Sequence, residues 1–450
     1  MKAPLGLALL LCALPARAGT WAHDFGGPNA DHPHTILETS DGGFLVAGDA
    51  SFDAHFSQPC PCQYWHFWLT RIDASGYRLW DALYQEGGYA YLSGAAARPE
   101  GGWMLAGRRT VPTTTLYVQH PFLLATDASG ALLDAREVGA ESDSLRSIVS
   151  TTDGRFVTVG TTSTSNVSET WLMKVAAAGD IVWSHRYGTR SSDVPGPRRL
   201  ETGIAAAPTA DGGVLVGEVV NNSNPRKPLM YAETDIAIDR IDADGQVLWS
   251  RTYGGSGIEE VVDLEQTADG GILVLGSRQP RDAVAKAAWV LSLDASGNIL
   301  WQETLTTATA GTAGVALVSL PDGTAAALLG LDRGYPFRQG TALVRLGRLG
   351  EILWARTSLD LSPFSALTRA SNGDFVLGLS AAENMRVLRV LDDAPEIDCS
   401  GLVQDLGFVR TATAEASTAR KVSRHVYAPV VSTPPVVVQV PVGDLGAACP

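Results

Sequence analysis

The stretch TADGGILVLG, residues 267–276, decides the fold. Asp-Gly-Gly between two apolar runs is a hairpin turn, because glycine tolerates the positive φ of a tight turn and aspartate bonds its own backbone. The run after it is apolar at consecutive positions instead of alternating, so that strand is expected to be buried on both faces. Relatives occur at TSDGGFLVAG (39–48), RPEGGWMLAG (98–107), TTDGRFVTVG (151–160), TADGGVLVGE (209–218), LPDGTAAALL (320–329) and ASNGDFVLGL (370–379). Their acidic or Asn residues lie at 41, 100, 153, 211, 269, 322 and 372, in steps of 59, 53, 58, 58, 53 and 50. That is a repeat with the period of a propeller blade.

Two more markers complete the unit. WVLSLDASG (289–297) has relatives at 67–76, 122–130, 171–179, 236–245, 342–350 and 385–393, and NILWQETL (298–305) marks a following strand. The Trp of that strand recurs at 80, 183, 249, 301 and 354, with Asp134 in the interior copy that lacks it. Each repeat therefore holds four strands: A before Asp-Gly-Gly, B after it, C in the second marker and D in the third. All-β units of four antiparallel strands read as propeller blades. A, B and C occur seven times, but D follows C only six times; the seventh D is TWAHDF near the start of the chain. The expected fold is a seven-bladed β-propeller over 19–398, with the N-terminal strand completing the last blade against residues 385–391, so that no sheet edge stays open there. Trp21 is expected to occupy the same inter-blade position as Trp249 and Trp301.

Loop lengths sort the two faces. A–B and C–D turns are short, so their face should be smooth, whereas B–C connections (49–65, 108–121, 218–235, 331–340) and the D–A connection 188–202 are long. Variable loops on a rigid scaffold carry binding, so a ligand is expected there, at the channel mouth. The richest stretch is SFDAHFSQPCPCQYWHFW (51–68), which holds His55, Cys60, Cys62, Tyr64, Trp65 and His66, with His32 and His34 supplied by the neighbouring D–A connection. Three readings compete. Imidazole and thiolate suit zinc or copper, but Cys-Pro-Cys lacks the usual structural-zinc spacing. The aromatics could form a platform for a sugar or peptide. The stretch could also be a loop packed on itself and pinned by Cys60 and Cys62. No metal is expected. Asp242 and Asp244 in a four-residue turn give too few oxygens for calcium and are expected to cap the turn. Asp31, Glu141, Asp143, Glu201, Glu259 and Glu260 lie in D–A connections, but no spacing selects two of them as a glycosidase-like pair.

The first residues read as a secretory signal cleaved after Ala18: Lys2, an apolar run 5–14, and Ala16-Arg17-Ala18. Loss of Lys2 and Arg17 takes the formal charge from −14 to −16. An acidic surface argues against nucleic acid and anionic membranes, and no membrane insertion is expected. The remaining cysteines, Cys60, Cys62, Cys399 and Cys449, are even in number, as suits an oxidising compartment. Residues 399–450 are rich in Thr, Val and Pro, so this tail should be extended and edge-like, clipped to the propeller by a Cys399–Cys449 disulfide.

The composite pattern WLxKxDxxGxxxWxxxYGG…TxDGGxxVxG resembles the repeat of a broad group of secreted bacterial β-propeller proteins, over residues 20–398. LDDAPEIDCS (391–400) is similar to the way such chains leave their last repeat. IDADGQVLW (241–249) is also similar to the Trp motif of quinoprotein propellers. Those use adjacent cysteines and usually eight blades, which this chain lacks, so no quinone cofactor is expected. The resemblance implies a fold, not an activity. The expected function is a secreted or periplasmic, monomeric, non-catalytic binding module for a glycan or a protein, associated with the cell surface. The alternative is a hydrolase or lyase acting on polysaccharide through D–A carboxylates.

Overall fold

The computed structural model describes residues 21–26, 30–53, 63–85, 89–112, 117–163, 167–188, 199–221, 233–308, 310–332, 339–358, 362–381, 384–392, 403–404, 409–413, 416–420, 422–426, 431–432 and 438–441. Every element among them is a strand. After β1 (Trp21–Phe25) comes an antiparallel meander of β2 (Asp31–Glu38), β3 (Phe44–Asp53), β4 (Gln63–Ile72) and β5 (Arg78–Gln85). The same blade recurs as β6 (Tyr89–Ala97), β7 (Trp103–Pro112), β8 (Tyr117–Thr126) and β9 (Leu132–Val138). Next are β10 (Ser144–Ser150), β11 (Phe156–Ser163), β12 (Val167–Val175) and β13 (Ile181–Gly188), then β14 (Arg199–Pro208), β15 (Val214–Asn221), β16 (Thr234–Ile241) and β17 (Val247–Gly254). They are followed by β18 (Gly257–Gln266), β19 (Ile272–Pro280), β20 (Ala287–Leu293) and β21 (Ile299–Thr306), and by β22 (Gly311–Ser319), β23 (Ala325–Asp332), β24 (Gln339–Leu346) and β25 (Ile352–Ser358). In the last blade β26 (Ser362–Arg369), β27 (Phe375–Ala381) and β28 (Asn384–Val390) take β1 as their outer strand.

The innermost strands lie side by side in a cycle, β2, β6, β10, β14, β18, β22 and β26, which returns from β26 to β2. Hydrogen-bonded sheets number five, not the seven that the repeat count predicts. The reason is local: short parallel bridges, Val167↔Arg199 with Ser168↔Leu200 and Thr234↔Ile258, fuse three meanders into one 15-stranded sheet. The apolar B and C strands supply the core, which lies between blades. Val376 and Val387 of the last blade, for example, share one cluster with Phe44, Val46 and Trp68.

The D-strand motif explains how blades hold one another. The indole Nε1 of Trp183 donates to Ala243 O (3.2 Å), that of Trp249 to Ala295 O (3.2 Å) and that of Trp301 to Arg348 O (2.9 Å), each in the C–D turn of the next blade. Four residues beyond the Trp position on strands β5, β13 and β17, the hydroxyls of Tyr84, Tyr187 and Tyr253 donate to the carbonyls of Gly130, Gly245 and Gly297. The turn glycine has positive φ (Gly297, 77°), and an added Cβ there would lie 2.9 Å from the Tyr253 hydroxyl and 3.0 Å from the Trp249 ring, so both backbone and space demand glycine. Trp21 of β1 donates in the same way to Ala74 O, at 3.1 Å. β1 pairs with β28 from Trp21↔Arg389 to Phe25↔Met385, and Arg386 binds Asp24 through Nε (2.6 Å) and Nη2 (2.9 Å). The opening fragment is thus an outer strand, as its sequence implies.

The tail gives most of these blades a fifth strand. β29 (Val403–Gln404) pairs with β25, β30 (Val409–Ala412) with β21, and β31 (Ala416–Ala419) with β17. β32 (Ser423–Val426) pairs with β13, β33 (Val431–Ser432) with β9, and β34 (Val438–Pro441) with β5. The tail therefore runs round the rim against the direction of the chain, one blade for every six to eight residues between strand starts. It satisfies the outer edges of β25, β21, β17, β13, β9 and β5, which would otherwise be open templates for pairing. Its expected extended, edge-like character is observed, but by ladder pairing; Cys399 and Cys449 lie outside the described residues. Arg420 anchors it. Its side chain enters the β14–β17 blade, where Nη2 meets Glu218 and, at 3.1 Å, both Asp239 oxygens; Nη1 lies 3.9 Å from Glu201, and Nε donates to Ser250 Oγ at 3.0 Å. All four charged groups are almost fully buried.

Two outcomes test this account. Deletion of 19–26 will expose the β28 ladder, so the protein should self-associate in light scattering, and Trp21→Ala alone should cost ~2 kcal/mol or more in urea unfolding. A monomeric deletion variant of unchanged stability would show β1 to be ornamental. Arg420→Met strands buried carboxylates and should cost about 3–5 kcal/mol in the same measurement.

Candidate functional site

The loop face of the first two blades carries a row of stacked side chains. His32 of β2 stacks on Trp65 of β4 (ring centroids 4.7 Å apart, 23° between planes), and Trp65 in turn faces Tyr91 of β6 (6.2 Å, 28°). The guanidinium of Arg108 on β7 lies 4.9 Å from the Tyr91 centroid, a cation–π contact. None of the four is fully buried. The row crosses from one blade to the next, and strand register builds it. Tyr91 pairs with Arg108 as His32 pairs with Asp49, so the two innermost strands present equivalent positions side by side.

A bulge between Pro33 and Thr35 sets His34 apart from the ladder and turns it onto Asp49, with Nε2 to Oδ2 at 2.8 Å. The other Asp49 oxygen accepts the Leu92 amide of the next blade at 2.5 Å. Burial alone would lower the His34 pKa, but Asp49 outweighs it and holds it above the ordinary histidine value. His32 is shifted the other way, first by burial and then by the charge of His34. The pair thus divides its roles: His34 carries charge into near-neutral solution while His32 stays a neutral stacking ring.

Both ends of the long B–C connection read from the sequence belong to the hairpin, because the β3–β4 ladder continues to Phe52↔Tyr64 and Asp53↔Gln63. Of the expected site residues, His32, His34 and Trp65 come together. His66 does not join them: strand alternation turns it to the other face of β4, where it is buried and desolvation lowers its pKa to about 4. Tyr64 sits on β4 beside Trp65, opposite Phe52. His55, Cys60 and Cys62 lie outside the described residues, among which no three His, Cys, Asp or Glu side chains are grouped to hold a metal ion. Asp49, Tyr91 and Arg108 were missed. Asp49 and Arg108 share a column, the residue after the B-strand Gly, which is Thr161, Glu218, Ser277, Leu331 and Leu379 in the later repeats and so carries no clear signal.

Asp31, Asp143, Glu201 and Glu259 are almost fully buried, each at the start of a different innermost strand. Exposed Glu260 is bound by Lys286 at 2.8 Å. Turn aspartates cap turns, as expected: Asp242 Oδ1 accepts the amides of Asp244 (3.0 Å) and Gln246 (2.7 Å). The opposite face is less smooth than its turn lengths imply. A hollow of about 360 Å³ opens there between the ends of the innermost strands, lined by Glu38, Gln266, Ser319, Arg369 and Ser371. Its Glu38 carboxylate is already engaged by the Ser371 amide and hydroxyl, at 2.7 and 2.8 Å.

No protein-family model matches the chain, and no curated protein matches it significantly. Distant likenesses exist among solved structures. Drosophila Plexin A in complex with Semaphorin 1b is 10% identical, with 82% of this chain and 86% of that one covered and a TM-score of 0.41. The polysaccharide lyase Uly1 is 11% identical, with 82% and 92% covered and a TM-score of 0.43. Sqt1 from Chaetomium thermophilum is 9% identical, with 83% and 99% covered and a TM-score of 0.41. Likenesses this distant carry no function to this chain.

The most strongly shifted carboxyl of the Arg420 cluster predicts a pH dependence. Burial pushes Glu218 up from 4.5 to about 8, although Arg420 pulls it down. The folded protein holds this proton more tightly than the unfolded chain, so its contribution is present below 4.5 and is lost as pH rises through about 8. Urea unfolding at pH 5 and pH 9 should show stability falling with pH, and Glu218→Gln should flatten that fall. An identical slope in the variant would remove Glu218 as the titrating group.

Proposed function

We propose that the chain is a seven-bladed propeller acting as a non-catalytic, secreted binding module, with a glycan held on its loop face by the His32–Trp65–Tyr91–Arg108 row. The blade count is supported by the cycle of innermost strands and by the three antiparallel meanders within the 15-stranded sheet. One observation carries the functional reading. Large aromatic rings that could have packed in the core instead stand half-exposed, stacked and bordered by polar groups at the channel mouth. Such rings offer flat apolar area with little rotamer entropy to lose, and polar neighbours can bond hydroxyls. A sugar ring matches both properties. The buried Asp49 brace ties His34 to the next blade's backbone, so the platform is rigid before a ligand arrives, which favours binding. Export rests on the signal-like residues 1–18. Among the described residues no helix is long and apolar enough to cross a membrane.

The competing hydrolase or lyase reading asks for two solvent-facing carboxylates converging at the mouth, whereas Asp31, Asp143, Glu201 and Glu259 are almost fully buried, each at the start of a different innermost strand. Titration of immobilised oligosaccharides against the full chain tests the platform. Trp65→Ala and Tyr91→Ala should each weaken binding about tenfold, a loss of about 1.4 kcal/mol, with little change in thermal midpoint. Unchanged affinity in both variants would end the platform reading, and release of new reducing or unsaturated ends from those oligosaccharides would favour the enzyme.

A further inference from the structure

Two arginines at the end of the aromatic row have no acidic partner, in a chain of net charge −14. Elsewhere the described cations are commonly paired: Arg71 with Asp41, Lys174 with Asp153, Arg389 with Asp374, Lys286 with Glu260. Arg109, the neighbour of Arg108 in sequence, faces the other side of β7 and binds Glu137. Arg108 forms no ion pair among the described residues, and its Nε is buried without a hydrogen-bond partner. Leaving such a donor unsatisfied is costly, and the cost is recovered when an acceptor arrives.

Arg146 is the second. It is the residue set out by the β10 bulge between Leu145 and Ser147, the position that His34 holds in β2. β10 is tied to β6 by Ser93 Oγ donating to Leu145 O at 2.7 Å, which places the bulge beside the strand carrying Tyr91. Arg146 is exposed and likewise forms no ion pair among the described residues. Desolvation, and then the positive charge of Arg108, hold its pKa below the ordinary arginine value, and register puts both residues against β6: Arg108 pairs with Tyr91, while Arg146 follows Leu145, whose carbonyl is bound by Ser93 two residues further on. The nearby carboxylates are committed: Asp49 to His34 and the Leu92 amide, Glu137 to Arg109. Two like charges held together without a counter-ion are stable only at a cost, which a bound anion relieves.

We infer that Arg108 and Arg146 form an anion subsite, and that the ligand is a saccharide bearing a carboxylate or sulfate, its ring on Trp65 and Tyr91 and its anionic group between the two guanidiniums. This rests on the platform reading. Arginine's planar fork suits both anions, and the Arg108 guanidinium lies 4.9 Å from the Tyr91 ring centroid.

The test is calorimetric titration of the full chain with four probes: an oligogalacturonate, a sulfated galactan oligomer, a neutral galactan oligomer of equal length, and polyglutamate. At least one anionic oligomer should bind tenfold or more tightly than the neutral one. Arg146→Gln, at an exposed position outside the row, should remove that preference while leaving the neutral affinity within about twofold, and Arg108→Gln should remove it together with part of the neutral affinity. Whichever of the two anionic oligomers binds more tightly identifies carboxylate or sulfate. Equal affinity for neutral and anionic oligomers would overturn the anion subsite and leave the platform standing. If no saccharide binds, the platform itself falls. Polyglutamate binding as tightly as the oligogalacturonate would replace saccharide recognition by simple charge attraction. A preference that survives both substitutions would place the anion elsewhere.

Discussion

The ring depends on a contact between the outer strand of one blade and the C–D turn of the next. An indole N–H and, four residues along the strand, a phenol hydroxyl donate to two carbonyls of the same turn, as Trp249 and Tyr253 do to Ala295 and Gly297. Both donors sit on large apolar rings, so one motif combines area burial with satisfied turn carbonyls. The turn must then hold its shape. Asp294 fixes it by accepting the amides of Ser296 and Asn298, and Gly297 leaves room for the rings. Repetition of this clasp sets blade against blade, and Trp21 repeats it across the point where the chain's beginning meets its last blade. Where the copy lacks Trp, Asp134 and Arg136 replace it: Arg136 Nη1 donates to Gly179 O at 3.1 Å while Nε holds Asp134. The chemistry differs but the acceptor is again the turn glycine.

The tail adds a second constraint, acting on the rim. Antiparallel pairing with D strands of successive blades means that the final segment touches most of the ring it follows. Arg420 makes this more than an edge cover, because its charge lies among Glu201, Glu218 and Asp239, which span the blade from innermost strand β14 to β16. Burial works against the Arg420 charge, but Asp239, Glu218 and Glu201 more than offset it, so its pKa is raised. The blade is built with an excess of buried acid that the tail neutralises, and neither part is complete alone.

The site has the opposite character. Its aromatic row is half-exposed, and its two arginines form no ion pair among the described residues. Consistency across levels fails there: Asp49 and Arg108 put charge into β3 and β7 directly after their apolar runs, and such local breaks are where function is expected. His32, His34 and Trp65 were legible because their type and clustering stood out in the sequence. His66 was misassigned because it was read as a loop residue; a strand alternates its side chains, and extending β4 by a few residues decided which histidine faces the mouth. Tyr91 and Arg108 were hidden in strands that otherwise read as core.

The sequence by itself determined the periodic part: turn positions, strand order, buried strands, and the outer-strand role of its opening fragment. These follow from local rules, because glycine-dependent turns and apolar runs constrain the backbone wherever they occur. Only the tertiary structure decided what depends on which residues meet across blades. Nothing in VQVP (438–441) foretells that it lies along the D strand of the first blade, since extended edge segments carry no address in their composition. Nor does the spacing of Arg420 and Glu201, more than two hundred residues apart, announce an ion cluster. The stacking of Tyr91 on Trp65 arises because ring closure brings two innermost strands side by side, a geometric consequence of the whole that no single repeat contains.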